Sequence, residues 1–120
     1  MEARLYSRNR TVEMRSLQIW TILVGAAHRR ETLTYKLLAN LLNYGGAGVL
    51  DRQLGRIMHW CSDRALPPLT ALVVNSDTGL PGVGLTSPTD LHSEREVVFG
   101  FEWFDVIPPT IEELEAYKGM

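Results

Sequence analysis

A nearly continuous apolar run, LTALVV at residues 69–74, follows two consecutive prolines, Pro67 and Pro68. A short apolar run bounded by proline and by turn-forming residues is typical of a strand that is buried in a core. The turn-forming residues are present, because NSDTG follows directly at residues 75–79. The run therefore predicts a buried strand that the helices before it must cover.

The segment VEMRSLQIWTILVGAA, residues 12–27, places apolar side chains at helical spacing. Its wide apolar face predicts a helix that packs in the core. Gly25 and the basic sequence HRR at residues 28–30 mark the end of this helix. The apolar positions are Met14, Leu17, Ile19, Trp20, Leu23 and Val24.

A second helix is predicted for YKLLANLLNY, residues 35–44. The preceding sequence ETLTY is short and contains β-branched residues, which indicates a brief strand. Thr34 is then in position to cap the helix. Tyr35 lies in the first turn, away from a leucine stripe that we expect to face the core. That stripe consists of Leu37, Leu38, Leu41 and Leu42.

A third helix is predicted from about residue 49 to residue 61, after a GGAG turn at residues 45–48. Its core-facing positions are Leu54, Ile57, Met58 and Cys61. The opposite, exposed face is expected to carry Arg52, Gln53, Arg56 and His59. Gly55 leaves a gap in the side-chain cover of the same helix, which would let another molecule approach the backbone.

A second strand is predicted for REVVFGFEWFDV, residues 95–106, which would pair with residues 69–74 as a hairpin. After Pro108 and Pro109, Thr110 and Glu113 have the spacing of a capping box and predict a short acidic helix. Three helices followed by a β-hairpin are typical of an α+β winged-helix fold, whose third helix can enter a major groove. We therefore predict one winged-helix-like domain over residues 1–120, with a β-hairpin wing, a short C-terminal helix and an acidic extension at about residues 90–120.

The composition, with 45% hydrophobic and 22% charged residues, is that of an ordinary soluble globular domain. A single cysteine excludes an internal disulfide, and no apolar run approaches the roughly 18 residues of a membrane span. The first residues lack a signal-peptide core, so we expect a cytoplasmic protein without a membrane partner. Residues 1–64 carry ten Lys or Arg and five Asp or Glu, whereas residues 65–120 carry two and nine. This asymmetry predicts one basic face and one acidic segment.

Four segments occur in the order LQIWTIL, TLTYKLLANLL, DRQLGRIM and PPLTALVVN, followed by the turn TGLPG. In order and spacing, residues 8 to about 84 resemble the active-site domain of O6-alkylguanine-DNA alkyltransferases and of their non-catalytic relatives, the alkyltransferase-like proteins. DRQLGRIM resembles the recognition helix of that domain, and PPLTALVVN falls on its Pro-Cys-His-Arg strand. The resemblance implies a winged-helix domain that binds DNA in a repair context.

The resemblance also implies roles for individual residues. Tyr35 matches the tyrosine that presses on the phosphate beside a flipped nucleotide, and Arg52 matches the arginine that fills the vacated base stack. Gly55 matches the glycine of the recognition helix. These roles are physically coherent, because base flipping requires a side chain that turns the phosphate and another that occupies the stack.

The alkyl acceptor of the family is missing. Leu69 stands where the nucleophilic cysteine stands, and Thr70 and Ala71 replace the adjacent histidine and arginine. Alkyl transfer needs a thiolate that a neighbouring base activates, so the resemblance implies a protein without catalytic residues. Cys61 lies on the core-facing side of the third helix, where we expect an inert buried thiol.

We expect a non-enzymatic protein that binds duplex or damaged DNA through the third helix. The expected DNA-binding residues are Tyr35, Arg52, Gln53, Gly55 and Arg56. The alternative is a protein-interaction module on the same fold, which has lost DNA binding and whose acidic C-terminal part docks a protein partner. An enzyme with unrelated chemistry is a third interpretation, although no carboxylate pair has a reason to share a cleft. We predict no cofactor and no metal site, since the histidines lack ligand spacing to one another or to the cysteine. They are His28, His59 and His92.

Overall fold

The computed structural model describes residues 2–43, 50–80 and 91–118. This part of the chain forms a mainly helical α+β domain with a small sheet. Its helices are α1 (Val12–His28), α2 (Tyr35–Leu41), α3 (Asp51–Asp63), α4 (Leu91–Gly100) and α5 (Ile111–Glu115), and its strands are β1 (Leu33–Thr34) and β2 (Val73–Val74). Single 3-10 turns are formed by Tyr6–Arg8, Leu69–Leu72 and Trp103–Asp105.

The long helix α1 is the centre of the domain, as its apolar face predicts. The helix begins after Thr11, whose hydroxyl accepts a hydrogen bond of 3.2 Å from the backbone N–H of Met14. Its buried face contacts α3, α4, α5 and the turn at Leu69–Leu72. Because α1 touches each of these elements, it fixes how α3 and the C-terminal helices are placed relative to each other.

Three tryptophans from different elements meet in the core. Trp20 of α1 makes edge contacts with Trp60 of α3, at a ring-centroid distance of 5.1 Å, and with Trp103, at 5.7 Å. All three side chains are buried. Edge-to-face aromatic pairs add about 0.5–1.5 kcal/mol beyond the burial of their surface. The prediction that Trp20 belongs to the core-facing side of the first helix is confirmed.

The apolar run at residues 69–74 is buried as predicted, but only its last two residues form a strand. The first four form a 3-10 turn, which brings Leu69 and Leu72 onto the same side, toward the core. β2 pairs in parallel with β1, Leu33 opposite Val73 and Thr34 opposite Val74. The sheet of the described residues is therefore a parallel pair rather than a hairpin.

The predicted strand at residues 95–106 is wrong, because α4 occupies residues 91–100 and a 3-10 turn occupies Trp103–Asp105. The β-branched and aromatic residues that favoured a strand are overridden by tertiary packing. Val98 alone on α4 is fully buried, and its carbonyl accepts a hydrogen bond of 2.7 Å from the indole N–H of Trp103. The described residues thus contain no hairpin wing, and residues 45–48 of the predicted GGAG turn and residues 81–82 of the wing turn TGLPG lie outside them.

The second helix is capped as predicted, since the Thr34 hydroxyl accepts from the backbone N–H of Leu37 at 3.0 Å. Its leucine stripe is narrower than expected. Leu38 and Leu42 are fully buried, whereas Leu37 and Leu41 are 44% and 51% exposed. The two pairs are about 100° apart around the helix, and α2 is buried along one edge only.

Candidate functional site

The exposed side of α3 carries three positions at helical spacing, Arg52, Gly55 and His59, which we call the α3 stripe. Arg52 is exposed, and no carboxylate of the described residues lies within ion-pair distance of it. A Cβ atom added at Gly55 would meet no atom within 4 Å. His59 is half-buried, and its ring stacks on Tyr117 with a centroid distance of 6.1 Å. The stripe is thus an open surface with a free guanidinium at the first turn of the helix.

Arg56 is buried, and the expectation that it shares an exposed face with Arg52 is wrong. Its side chain is 5% exposed, donates a hydrogen bond of 2.8 Å to the carbonyl of Leu114, and lies 3.8 Å from the carboxylate of Glu13. An i+4 step rotates by about 40° around a helix, and this rotation carries Arg56 under α5. While α5 holds this position, Arg56 cannot reach a nucleic-acid backbone.

Gln53 is buried as well, which corrects its expected exposure. It is 5% exposed. Its backbone carbonyl accepts a hydrogen bond of 3.4 Å from the hydroxyl of Ser16 on α1. Because α1 covers this side of α3, Gln53 belongs to the contact between the two helices. Of the expected contact residues on α3, only Arg52 and Gly55 face outward together.

Tyr35 is the first residue of α2 and follows β1 directly. The pairing of Thr34 with Val74 fixes the chain where the helix begins. The Tyr35 side chain is half-buried and packs against the edge of the core. It is therefore held on a different helix from the α3 stripe, and its proposed role at a phosphate stays a prediction.

Part of the basic half of the chain is paired with carboxylates. Four ion pairs are formed, Arg29 with Glu31, Arg30 with Glu96, Arg56 with Glu13, and Arg64 with Glu113. Two of them use acidic residues of the C-terminal part, which therefore folds back onto the basic half. Exposed cations without a carboxylate partner among the described residues are Arg4, Arg8, Arg10, Lys36, Arg52 and Lys118.

The end of α3 is joined to α5 by polar side chains that we call the C-terminal clasp: Asp63, Arg64, Glu113 and Tyr117. Arg64 donates to the Glu113 carboxylate at 2.5 Å and lies over the ring of Trp60, 4.2 Å from its centroid. The Tyr117 hydroxyl donates to Asp63 at 2.5 Å. The clasp places the acidic helix α5 beside α3.

The clasp shifts the acidity of its members. The pKa of Glu113 is lowered, chiefly because its carboxylate accepts a hydrogen bond from the backbone N–H of Thr110, and further by Arg64. The pKa of Tyr117 is raised, first by its hydrogen bond to Asp63. Both shifts favour the bonded forms at neutral pH, a carboxylate at Glu113 and a neutral phenol at Tyr117.

The residues that the resemblance aligns with the alkyl acceptor and its neighbours are inaccessible. Leu69, Thr70 and Ala71 are all fully buried in the 3-10 turn. Cys61 is buried next to this turn, and desolvation raises its pKa to about 12 despite a hydrogen bond from the backbone of Leu69. At neutral pH the thiol is therefore almost wholly protonated, the form that is a poor nucleophile.

No group of three or more His, Cys, Asp or Glu side chains that could hold a metal ion occurs within the described ranges. In the same ranges, no helix has both the length and the apolar character needed to cross a membrane.

No sequence signal connects Arg64 with Glu113, because 49 residues separate them. The capping box is the only local indication that Glu113 is bonded, and it points to Thr110 rather than to α3.

Comparison with known proteins adds no further information on function. No family model matches this sequence, and neither a curated protein nor a solved structure is significantly similar to it. Function must therefore be argued from the geometry of the site.

Proposed function

We propose that this chain is a non-enzymatic nucleic-acid-binding domain that contacts duplex DNA with the exposed side of α3. The proposal rests on the neighbouring positions of Arg52 and Gly55. The exposed guanidinium of Arg52 has no ion-pair partner among the described residues, and it lies beside helix backbone that is left open at Gly55. The proposal is narrower than the sequence-based expectation, because Gln53 and Arg56 are committed to contacts inside the domain.

Arg52 has the chemistry that this role requires. A guanidinium can donate two parallel hydrogen bonds to a phosphate or to the edge of a guanine, and its plane can stack on a base. It lies in the first turn of α3, the end of a helix at which phosphates are favoured. Gly55, one turn later, would let a sugar-phosphate strand approach the helix more closely than any side chain permits.

The segment before α1 carries further positive charge near α3. Arg8 and Arg10 are exposed, and Arg10 lies three residues before Glu13, which is 3.8 Å from Arg56 of α3. At 3.8 Å per residue, the Cα atom of Arg10 is at most about 11 Å from that of Glu13. We expect these arginines to contact phosphates that flank the α3 stripe, which would position the domain without reading sequence.

The resemblance to alkyltransferase-like proteins supports a role that recognises DNA without altering it. Tyr35, Arg52 and Gly55 keep the residues that the family uses for binding, whereas a buried leucine occupies the acceptor position. On this proposal the protein occupies or marks a site in DNA, such as a damaged base, for other proteins. The helices α2 and α3, rather than a wing, would carry the contact.

One observation favours the alternative of a protein-interaction module. The acidic helix α5 covers the side of α3 that carries Arg56, and the C-terminal clasp neutralises Arg64. This contact removes two cations from the surface that DNA would meet. It leaves Arg52 and Gly55 open, which is why we place DNA binding first.

A titration at two salt concentrations separates the two proposals. The full chain would be added to fluorescently labelled duplex, abasic duplex and single-stranded DNA, with anisotropy as the measurement. Binding through phosphates weakens steeply with salt because condensed counterions are released. We expect salt-sensitive binding at micromolar concentrations. Absence of such binding to all three DNAs would refute the DNA-binding proposal and leave the protein-interaction module.

A further inference from the structure

A pocket of about 150 Å³ lies at the C-terminal end of α4, and most of the residues that line it are aromatic. Five rings and one carboxylate line it: His28, Phe99, Phe101, Trp103, Phe104 and Glu102. We call this feature the aromatic pocket. None of these residues belongs to α3 or to the C-terminal clasp, so the pocket is a separate feature from the proposed DNA-binding surface.

The rings surround the pocket in different orientations. The rings of Phe101 and Trp103 have centroids 4.8 Å apart and planes tilted by 58°, and those of His28 and Phe104 are 4.7 Å apart and tilted by 49°. The indole ring of Trp103 is held in place by the hydrogen bond that it donates to the Val98 carbonyl. These rings therefore lie at an angle to one another rather than stacked flat.

The surroundings of the pocket favour a positive charge. The lining residues Phe99 and Gly100 are the last residues of α4, and the C-terminal end of a helix carries a partial negative charge. Glu102 lines the pocket and Asp105 follows in the adjacent turn, and neither forms an ion pair within the described ranges. A cationic ligand would meet complementary charge here.

The same aromatic cluster already holds one cation on an outer ring. The guanidinium of Arg30 lies over the ring of Phe99, 5.0 Å from its centroid. Its charge is balanced by Glu96 at 2.6 Å. Arg30 thus places a cation against Phe99, and its ion pair uses Glu96 rather than Glu102.

We propose that the aromatic pocket binds a methylated ammonium group, either trimethylammonium or a methylated lysine side chain. Such a group is attracted to ring faces by their quadrupole and needs few hydrogen-bond acceptors, unlike a primary ammonium, which is strongly hydrated. A cavity of about 150 Å³ can hold a benzene-sized molecule, which is larger than a trimethylammonium group. Cation recognition by aromatic faces, assisted by Glu102, therefore fits both the size and the charge of this site.

The test uses the full chain and the fluorescence of its tryptophans, because Trp103 lines the pocket. The ligands would be tetramethylammonium chloride, choline, a trimethyllysine peptide and the neutral isostere 3,3-dimethylbutanol. We expect saturable binding of the methylated cations and at least about tenfold weaker binding of the neutral isostere. Tighter binding of the peptide would indicate a protein partner, and tighter binding of choline a small molecule. Equal binding of the neutral isostere would overturn the proposal.

Two variants test the site itself and a third serves as their control, each checked for folding by circular dichroism. Phe104→Leu removes a ring that is 67% exposed, and Glu102→Gln removes the carboxylate without changing shape. Each should weaken cation binding by roughly three- to thirtyfold, the range for single cation–π or ion-pair contacts. The matched control is Ile107→Ala, an exposed residue outside the pocket lining, which should bind as the wild type does. Folded variants that bind the cations as tightly as the wild type would refute the proposal. A Phe104→Leu variant that changes only the self-association of the protein, and not its binding of cations, would refute it as well.

Discussion

The guanidinium of Arg56 donates a hydrogen bond of 2.8 Å to the backbone carbonyl of Leu114, 58 residues further along the chain. This bond joins the middle of α3 to α5 and places a charged side chain inside the domain. Glu13 of α1 lies 3.8 Å from the same guanidinium, so the charge is compensated where it is buried. Arg56 therefore connects three helices, although its position on α3 predicts an exposed residue.

We expect Arg56→Met to lower the free energy of unfolding by about 1–3 kcal/mol, because it removes the guanidinium that donates to the Leu114 carbonyl and that compensates the charge of Glu13. The matched control is Arg52→Met, which removes the same charge from an exposed position and should change stability by no more than about 0.5 kcal/mol. Urea denaturation measures both. Equal losses in the two variants would contradict the internal role of Arg56.

Ile57 of α3 is fully buried in the core. Replacing it with alanine should cost about 2–5 kcal/mol through lost burial and the cavity that remains. Val97→Ala removes methyl groups from a residue that is 57% exposed, and it should have a small effect by comparison. If both variants unfold at the same urea concentration, Ile57 does not occupy the core.

The C-terminal clasp predicts a dependence of stability on pH. The pKa of Glu113 is lower in the folded protein than its usual 4.5, so its contribution to stability is fully present above pH 4.5 and is lost as pH falls through the lowered folded value. Glu113→Gln keeps a capping-box residue but removes the charge that Arg64 pairs with. The variant should melt below the wild type at pH 7 and approach it at pH 3. Glu115→Gln, on the exposed side of α5, is the control, and a gap that persists at pH 3 would contradict the prediction.

The buried thiol of Cys61 predicts chemical inertness. Its pKa of about 12 leaves almost no thiolate at neutral pH. We expect incubation with DNA containing O6-methylguanine to leave the mass of the protein unchanged, and the thiol to react with Ellman's reagent only in denaturant. A methyl adduct on Cys61, detected by mass spectrometry, would reopen an enzymatic function.

If the α3 stripe binds DNA, Arg52→Ala should remain folded and bind about 1–3 kcal/mol more weakly. If Arg52 contacts a phosphate, the affinity of the variant should also fall less steeply with salt, because its binding releases about one counterion fewer. The control is Arg29→Ala, which removes one exposed charge at the end of α1 and breaks only a surface ion pair with Glu31. A loss of affinity as large for Arg29→Ala as for Arg52→Ala would indicate a nonspecific effect of net charge.

The parts of the fold that the sequence predicts correctly depend on local patterns. The apolar spacing of α1, the cap formed by Thr34 and the capping box of Thr110 and Glu113 all involve residues within one or two turns of each other. Such patterns act through the backbone of the same segment, and tertiary contacts do not have to be known to interpret them.

The errors have tertiary causes. Residues 95–100, REVVFG, combine β-branched and aromatic side chains that suit a strand. The packing of Val98 in the core and the hydrogen bond that its carbonyl accepts from Trp103 are tertiary contacts that favour the helix instead. The burial of Arg56 and Gln53 likewise depends on α5 and α1, which approach α3 from distant parts of the chain. The exposure of Arg52 is predicted correctly because, among the described residues, no distant element covers its side chain.

The small parallel sheet has a consequence for the order of folding. Leu33 pairs with Val73 across the whole of α2 and α3, yet each strand has only two residues. So few hydrogen bonds cannot offset the entropy of closing so long a loop. The strands can therefore meet only after α1 and α3 have packed and brought the ends together. The sheet is a late product of helix assembly, and the rate of folding should depend on the helices rather than on strand pairing.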